Sequence, residues 1–431
     1  MVNIVDDGRS RSLVKSFLEV VRSSYIGDYG SLVGERRLPP KSEFFTCGGA
    51  CFAKSMELDE AIDLICARCH DRAEASHDDD VIECLWSAVA DVLPQGGAGS
   101  LVGHVKTVLE KLERVVRGER LYINDNHVIH LHAGPISIGP VRAISSSSLT
   151  EILAERHPDA FWLLTGGSSK ARDAVLRPNM SPVCWEVRLR AAPRQVEVRA
   201  EQLIGLALSI LRLSLEEIPP LYPDVGDIET SNASKQKLSD TSIVITGDSV
   251  LSRGSAPLGY WVDYKVAGLT YTKEFRERAD VLFDPPSKSV ASRVSQGLVW
   301  QTRARQSLDR AERLLFFFTS IEALLTKGSS DPVTETIARF SSIMLENNPV
   351  ARERIYKRVK KLYGVRSTVT HSGSHAVTNE QAESIHNLAE ALYRRVFNTR
   401  TLVQGQDEFI AELEAATHGA AWPPAPRDTA H

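Results

Sequence analysis

The chain has 431 residues, of which 42% are hydrophobic and 25% charged, and a formal net charge of −4. That length exceeds one ordinary domain and predicts two or three, with globular composition. It excludes a molecule-wide polycation, a membrane protein built on apolar runs of about 20 residues, and a disulfide framework, since six cysteines are too few for so long a chain.

The N-terminal MVNIVDDGRSRSLVKSF carries early acids and lacks the apolar core of a signal peptide, so a cytoplasmic location is expected. SRSLVKSFLEVVRSSY predicts a short amphipathic helix with Leu13, Phe17, Val20 and Val21 on one stripe. GERRLPPKSEFF reads as a loop, because its Pro pair cannot continue a helix. From Glu57 to Arg117 the apolar period is helical. Stripes run through Ile62, Ile65, Cys66 and Cys69, then Val81, Leu85, Val89 and Val92, then Val105, Val108, Leu109 and Leu112. LPQGGAGS, residues 93–100, interrupts them.

Between Leu121 and Ile144 β-branched alternation cut by Gly and Pro predicts short strands. LTEILAERHPDAFWLLTG reads as a helix, a Pro break and a buried strand. VCWEVRLRA, QVEVRA, TSIVIT and LGYWVDYKV read as further strands, and AEQLIGLALSILRLSLEEI as a packed helix. The polar stretch 224–242 is a loop, and FDPPSKSVASR, residues 283–293, a junction. Beyond it helices dominate. An apolar helix runs through Leu315, Phe318, Ile321 and Leu325 to Gly328. Asp331-Pro332 and Asn348-Pro349 are N-cap and first-turn pairs. Thr378 and Gln381 have capping-box spacing before Ile385, Leu388, Leu392 and Val396. The expected architecture is α+β and multidomain: a mostly helical region 1–120, a mixed α/β domain 121–285, an all-α bundle 296–400, and a disordered tail 418–431.

Chemistry concentrates in KRVKKLYGVRSTVTHSG, residues 357–373. From Trp300 to Arg400 there are 16 Lys/Arg against 10 Asp/Glu, a local excess of +6 that leaves −10 for the remainder. A basic module on an acidic chain fits an anionic partner for that module, although a solvated charged face has the same composition. Arg366 and His371 lie five residues apart, just after Arg354, Lys357, Arg358, Lys360 and Lys361. As a bare pattern, Arg followed by His after four to six residues also occurs at Arg72/His77 and Arg120/His127, so context singles out the 366/371 pair. Glu322 interrupts an apolar helix; a buried carboxylate there needs a cation, Arg366 or another basic residue of the bundle, and a partly exposed helix edge is the equal alternative.

Residues 296–398 resemble a HEPN domain, most closely its Apea-like branch. The resemblance rests on Trp300, Arg303, the Ile-Glu-Ala-Leu-Leu segment Ile321–Leu325, the helix ending Leu-Tyr-Gly-Val-Arg-Ser-x3-His, and a last amphipathic helix ending in Phe397. It implies a metal-independent RNase site at Arg366 and His371, supported by Ser367, Glu322 and Tyr363, in a bundle that dimerises with its motifs facing. It also implies RNA as substrate, met by Arg354, Lys357, Arg358, Lys360 and Lys361, and a role in anti-phage defence or as a toxin. Ser367 stands where many members have Asn, Asp or His. The residue types suit the chemistry. The ribose 2′-OH attacks the adjacent phosphate, an imidazole exchanges its proton near neutrality, and a guanidinium fork holds the phosphate and offsets developing charge. No cofactor and no metal are expected, and the remaining 295 N-terminal residues are expected to restrain or trigger the bundle. The alternative is a binding module, a HEPN-fold dimer that senses nucleic acid or nucleotide without cutting. Because five helical residues turn about 500°, the two side chains are roughly 140° apart on a regular helix. A shared site then needs either a loosened helix end near Ser372–Gly373 or two chains.

Weaker constellations compete. Cys47, Cys51, Cys66 and Cys69, with His70, hold enough donors for Zn²⁺, but Cys66 and Cys69 fall on an apolar stripe where Cys is a common core residue. Cys66-x2-Cys69-His70 also fits c-type haem attachment, which the absence of an export signal disfavours. His130 and His132 share one side of a strand near His127 and read as surface or core. LTGGSSKARD, residues 164–173, lacks Walker spacing.

Overall fold

A computed structural model of the chain describes residues 3–35, 37–41, 43–73, 76–92, 101–126, 129–131, 134–156, 183–214, 242–246, 249–253, 260–262, 264–307, 309–327, 333–372 and 376–423. It is mostly helical, with small sheets in the N-terminal half and helices throughout the C-terminal part, an α+β arrangement. Among the described residues no helix is long and apolar enough to cross a membrane. The chain divides into two compact units. One comprises Met1–Tyr122, Arg188–Ala200 and Val244–Asp248; the other Ile123–Val187, Glu201–Ile243 and Ser249–His431.

In the first unit α1 (Gly8–Ser24) begins at Asp7, whose carboxylate accepts the Ser10 N–H at 2.9 Å and so satisfies one orphan donor of the first turn. The helix buries Val14, Phe17, Leu18 and Val21. Packed with it are α3 (Met56–Arg72), α4 (Asp78–Val92) and α5 (Leu101–Arg117), which bury the stripes read from sequence. A three-stranded sheet was not legible: β1 (Tyr25–Asp28), then a short helix α2 (Tyr29–Gly34), then β2 (Phe44–Cys47) and β3 (Ala50–Ala53), in the order β1-β3-β2. Its hairpin turns on Gly48 and Gly49, at φ +54° and +80°, the two positive values a two-residue type I′ turn requires. The loop read for Phe44 and Phe45 is thus a strand, which sets Phe45 4.5 Å from the Trp86 ring.

The second region of the chain continues with β4 (Glu119–Asn126), β5 (Ile129–Leu131), β6 (Ile136–Ile138), β7 (Val141–Ser145), α6 (Ser146–Arg156) and β8 (Val183–Arg190). With β9 (Ser242–Thr246) and β10 (Ser249–Arg253) the six-stranded sheet has the order β10-β9-β4-β8-β7-β6. β7 pairs antiparallel with β8, Val141 opposite Val187. β11 (Tyr260–Val262) pairs in parallel with β5. QVEVRA is not a strand. It follows a 3₁₀ turn at Pro193–Gln195 and opens α7 (Val196–Ser214). Val196 and Ala200 are fully buried while Val198 is 51% exposed, so the spacing of four decides and the two-residue alternation was incidental. LGYWVDYKV likewise keeps only Tyr260–Val262 extended and then enters α8 (Tyr264–Tyr271), followed by α9 (Lys273–Phe283).

The C-terminal helices are α10 (Val290–Gln306), α11 (Arg310–Leu325), α12 (Val333–Leu345), α13 (Pro349–Ser372), α14 (Asn379–Thr399) and α15 (Gln406–Thr417). Local caps explain several starts. Asn348 Oδ1 accepts the N–H groups of Val350 and Ala351 at 2.9 and 3.2 Å, with Pro349 at the first position. Thr378 and Gln381 form the reciprocal capping box. The core joins Phe317, Phe318, Ile321, Leu324, Ile337, Ile385, Leu392 and Val396. α10 and α14 meet closely at Gly297, where a Cβ would lie 1.5 Å from the Tyr393 hydroxyl oxygen. That hydroxyl donates to the Ser320 carbonyl at 2.7 Å.

This helical assembly is wider than residues 296–400. α7 enters it where Gly205 meets Thr302, whose hydroxyl donates to the Gly205 carbonyl at 3.2 Å. Residues 283–293 do not separate units, for α9 and α10 belong to the same one. The Arg278 guanidinium on α9 donates to the Phe397 carbonyl and lies 5.6 Å from the Phe397 ring. α15 extends the assembly with Phe409, Ile410 and Leu413 buried. Part of the expected tail is packed too: Trp422 is buried, with the Arg395 guanidinium 5.8 Å over its ring. The readings on 93–100, 157–182, Gly328, Asp331-Pro332 and 424–431, and nearly all of the loop 224–242, lie outside the described residues.

Candidate functional site: a basic helix and two charge clusters

α13 stays helical through Ser372, so its end does not loosen before that residue, and Gly373 lies outside the described residues. Arg366 and His371 therefore point about 140° apart on one helix. Val359, Leu362 and Val369 define the buried side of α13. Arg366 borders it. Its guanidinium is 3.3 Å from a Glu322 carboxylate oxygen on α11 and 5.2 Å from the Tyr363 ring. The Tyr363 hydroxyl donates to the same carboxylate at 3.1 Å, and its ring meets Phe318 edge-on at 5.2 Å. Burial, reinforced by the Glu322 carboxylate, pushes the Tyr363 phenol up, so it remains a protonated donor. Glu322 thus has the cation its position demanded, and that cation is Arg366. The side chains are 22% and 27% exposed, which leaves the pair within reach of solvent and of a ligand.

His371 is exposed in the last turn of α13 and has no hydrogen bond among the described residues. Stepping back by 7, 11 and 14 residues reaches Gly364, Lys360 and Lys357, so His371 ends an exposed basic stripe. The five cations expected to meet RNA divide. Lys357 pairs with Glu353 at 3.1 Å and Lys360 with Glu335 at 3.2 Å, both on the surface. Arg358 turns to α14 and donates to the Ser384 hydroxyl at 2.7 Å, a structural contact. Arg354 and Lys361 are exposed, with no ion pair among the described residues. Ser367 is half-buried beside Arg366. One chain therefore joins Arg366, Glu322 and Tyr363, and leaves His371 with the lysines on another face.

A second cluster escaped the sequence reading. On α14, Glu390 receives the His386 ring at 3.0 Å and the Arg394 guanidinium at 3.0 Å, each one helical turn away. Arg305 of α10 donates to the same carboxylate at 3.1 Å. Arg305 and Glu390 are almost wholly buried. The His386 ring stacks on Phe317 with centroids 5.0 Å apart, and Arg212 of α7 adds positive potential. Burial alone would push the Glu390 carboxyl up; the His386 ring and the Arg305 and Arg212 guanidiniums reverse this and hold it at about 2. The i,i+4 spacing of His386, Glu390 and Arg394 was its one local signal.

The metal readings do not assemble. Cys66 and Cys69 belong to the hydrophobic core of the first unit, and burial pushes both thiols up to about 12, which keeps them neutral. The Cys47 thiol donates to the Trp86 carbonyl at 3.1 Å. His70 lies between Asp78 at 2.8 Å and the Ser76 hydroxyl at 2.6 Å. Among the described residues no three His, Cys, Asp or Glu side chains group as metal ligands. His130 lies on β5, whereas His127, His132 and residues 164–173 fall outside the described residues. No protein-family model matches the chain, and neither does any curated protein or solved structure.

Proposed function

We propose that the chain is a metal-independent RNA endonuclease of the HEPN type, completed when two copies bring α13 helices together and regulated by the N-terminal region. The observation that carries this reading is α13 itself. It presents an exposed imidazole at the end of a basic stripe, and on its other edge a guanidinium held ready by Glu322 and Tyr363. Facing copies would set Arg366 of one beside His371 of the other, which the angle on a single helix forbids. Arg366, shared between Glu322 and the scissile phosphate, would offset developing charge, and His371 would exchange the proton of the 2′-OH or the leaving oxygen. Products would carry 2′,3′-cyclic phosphate and 5′-OH ends. A role as an anti-phage or toxin effector is what the resemblance implies for such an activity, since an unrestrained RNase harms its host.

The test is RNA cleavage by the purified protein in EDTA with end-group analysis, followed by Arg366→Ala and His371→Ala. Each variant alone is expected to be inactive. Mixed in equal amounts after subunit exchange, they should recover roughly a quarter of wild-type activity, because half the dimers carry one intact composite site of two. Cleavage that survives both substitutions overturns the assignment. The separation of Arg366 and His371 on one helix favours a second reading, a nucleic-acid-binding sensor that does not cut. A wild-type protein that binds RNA through Arg354 and Lys361 without cleaving it would establish that reading instead.

A further inference from the structure

A cavity of about 610 Å³ lies in the first unit, between the start of α1 and the N-terminal half of α5, and contains none of the residues of the proposed nuclease site. That volume is in the range of small-molecule sites. Its floor is apolar, made by Val5, Leu101, Val105 and Leu109, with Val102 at the mouth. Val105 and Leu109 are buried members of the core, and Val5 and Leu101 pack against its edge. Val102 is 80% exposed. A single exposed valine is ordinary, but this one adjoins an apolar floor that no neighbouring side chain fills. From Leu101 to Leu109 the floor runs about 12 Å along α5.

The rim is cationic. Arg11, Ser12 and Lys15 stand on the α1 side and Lys106 on the α5 side, and Asp6 is the single acid among the described lining residues. The Arg11 Nε donates to the Val5 carbonyl at 3.0 Å, which fixes that guanidinium beside the floor, and its outer nitrogen is 3.9 Å from the Asp6 carboxylate. Lys15 and Lys106 lean toward Glu19 and Glu110 of their own helices at 3.8 and 3.7 Å, too far for a hydrogen bond. All three pairs are exposed to solvent, so each is weak and yields readily to a better-placed anion. An apolar floor beneath amino and guanidinium groups complements an amphiphilic anion, whose alkyl chain covers the valines and leucines while its carboxylate sits among the cations. A neutral apolar molecule would use the floor and leave the rim idle. An extended alkyl chain of about ten carbons spans the same distance as the floor.

We infer that this cavity binds a free medium-chain acyl carboxylate, with its tail along α5 and its headgroup on Lys15 and Lys106. The site belongs to the first unit and stands whether or not the chain cuts RNA. The test is calorimetric titration of the full chain with hexanoate, octanoate, decanoate and 1-octanol. Decanoate should saturate below about 1 mM, and affinity should rise about three- to fourfold for each added methylene. 1-Octanol, equal in length to octanoate but uncharged, should bind about fivefold or more weakly. Lys15→Gln combined with Lys106→Gln should bring octanoate down to the level of 1-octanol and leave the alcohol unchanged. Val102→Asp, at a position too exposed to matter for folding, should weaken decanoate about tenfold by setting a like charge at the mouth. Absence of decanoate binding by the wild type overturns the proposal. So does affinity that ignores chain length, which would leave an anion patch without a tail pocket, and so does equal affinity of the wild type for octanoate and 1-octanol. Decanoate binding unchanged in the folded variants would place the ligand elsewhere and overturn this cavity. Self-association that Val102→Asp abolishes, in a protein that takes up no decanoate, would assign the face to a second copy of the chain instead.

Discussion

Two carboxylates of the helical assembly, Glu322 and Glu390, each hold an arginine, and they are built for different ends. Glu390 is buried and receives Arg305, His386 and Arg394. Glu322 is partly open, holds Arg366 at 3.3 Å, and shares its oxygen with one phenol. In the interior every charge needs its partner, because water cannot replace it. At the rim the partner can be exchanged, because solvent or a phosphate can take its place. The buried cluster therefore locks α10 and α14 in position, and the rim cluster can afford to let go of its arginine when a substrate arrives.

The difference can be broken or sharpened by substitution. The largest effect is expected from Glu390→Gln, which strands Arg305 in the interior and should cost about 3 to 5 kcal/mol in urea unfolding. The wild type should also show an acid limb. The folded carboxyl at about 2, against its ordinary 4.5, contributes stability that is fully present above 4.5 and is lost as pH falls to about 2, on the order of 3 kcal/mol. Glu390→Gln should lack that limb, and if its stability and pH profile match the wild type the interior cluster is no lock. Next comes Gly297→Ala. Its methyl group collides with the Tyr393 hydroxyl and should cost about 1 to 3 kcal/mol by forcing α10 from α14. A melting curve unchanged by that methyl would show that the two helices yield. The smallest effect belongs to Glu322→Gln, about 0.5 to 1 kcal/mol, because the pair is partly solvated. A loss above about 2 kcal/mol there would make the rim a lock as well.

What could be read in advance was local. Asn348-Pro349 and Thr378/Gln381 announce helix starts because a cap satisfies donors within three residues of itself. The stripes on α3, α4 and α5 were legible because burial repeats at helical spacing. Short alternation misled at QVEVRA, where Val196 and Ala200 fit either period and only the continuing stripe of α7 decides. The hairpin at Gly48-Gly49 had its signal in the glycine pair, which the helical texture downstream obscured. At the site, the pairing of Glu322 with a cation followed from placing a carboxylate in an apolar helix. The meeting of Arg305 with Glu390 did not, since 85 residues separate them and nothing near either names the other.

The passage of α7 through the C-terminal helices has a practical consequence. Gly205 brings its backbone against Thr302, so close that an added Cβ would lie 2.5 Å from the Thr302 methyl. Fragments that begin near residue 290 would expose an apolar wall and should clump when expressed alone. The helices from 290 onward are thus no transferable cassette. Swapping them into another protein would have to carry the stretch from 201 to 214 along with them.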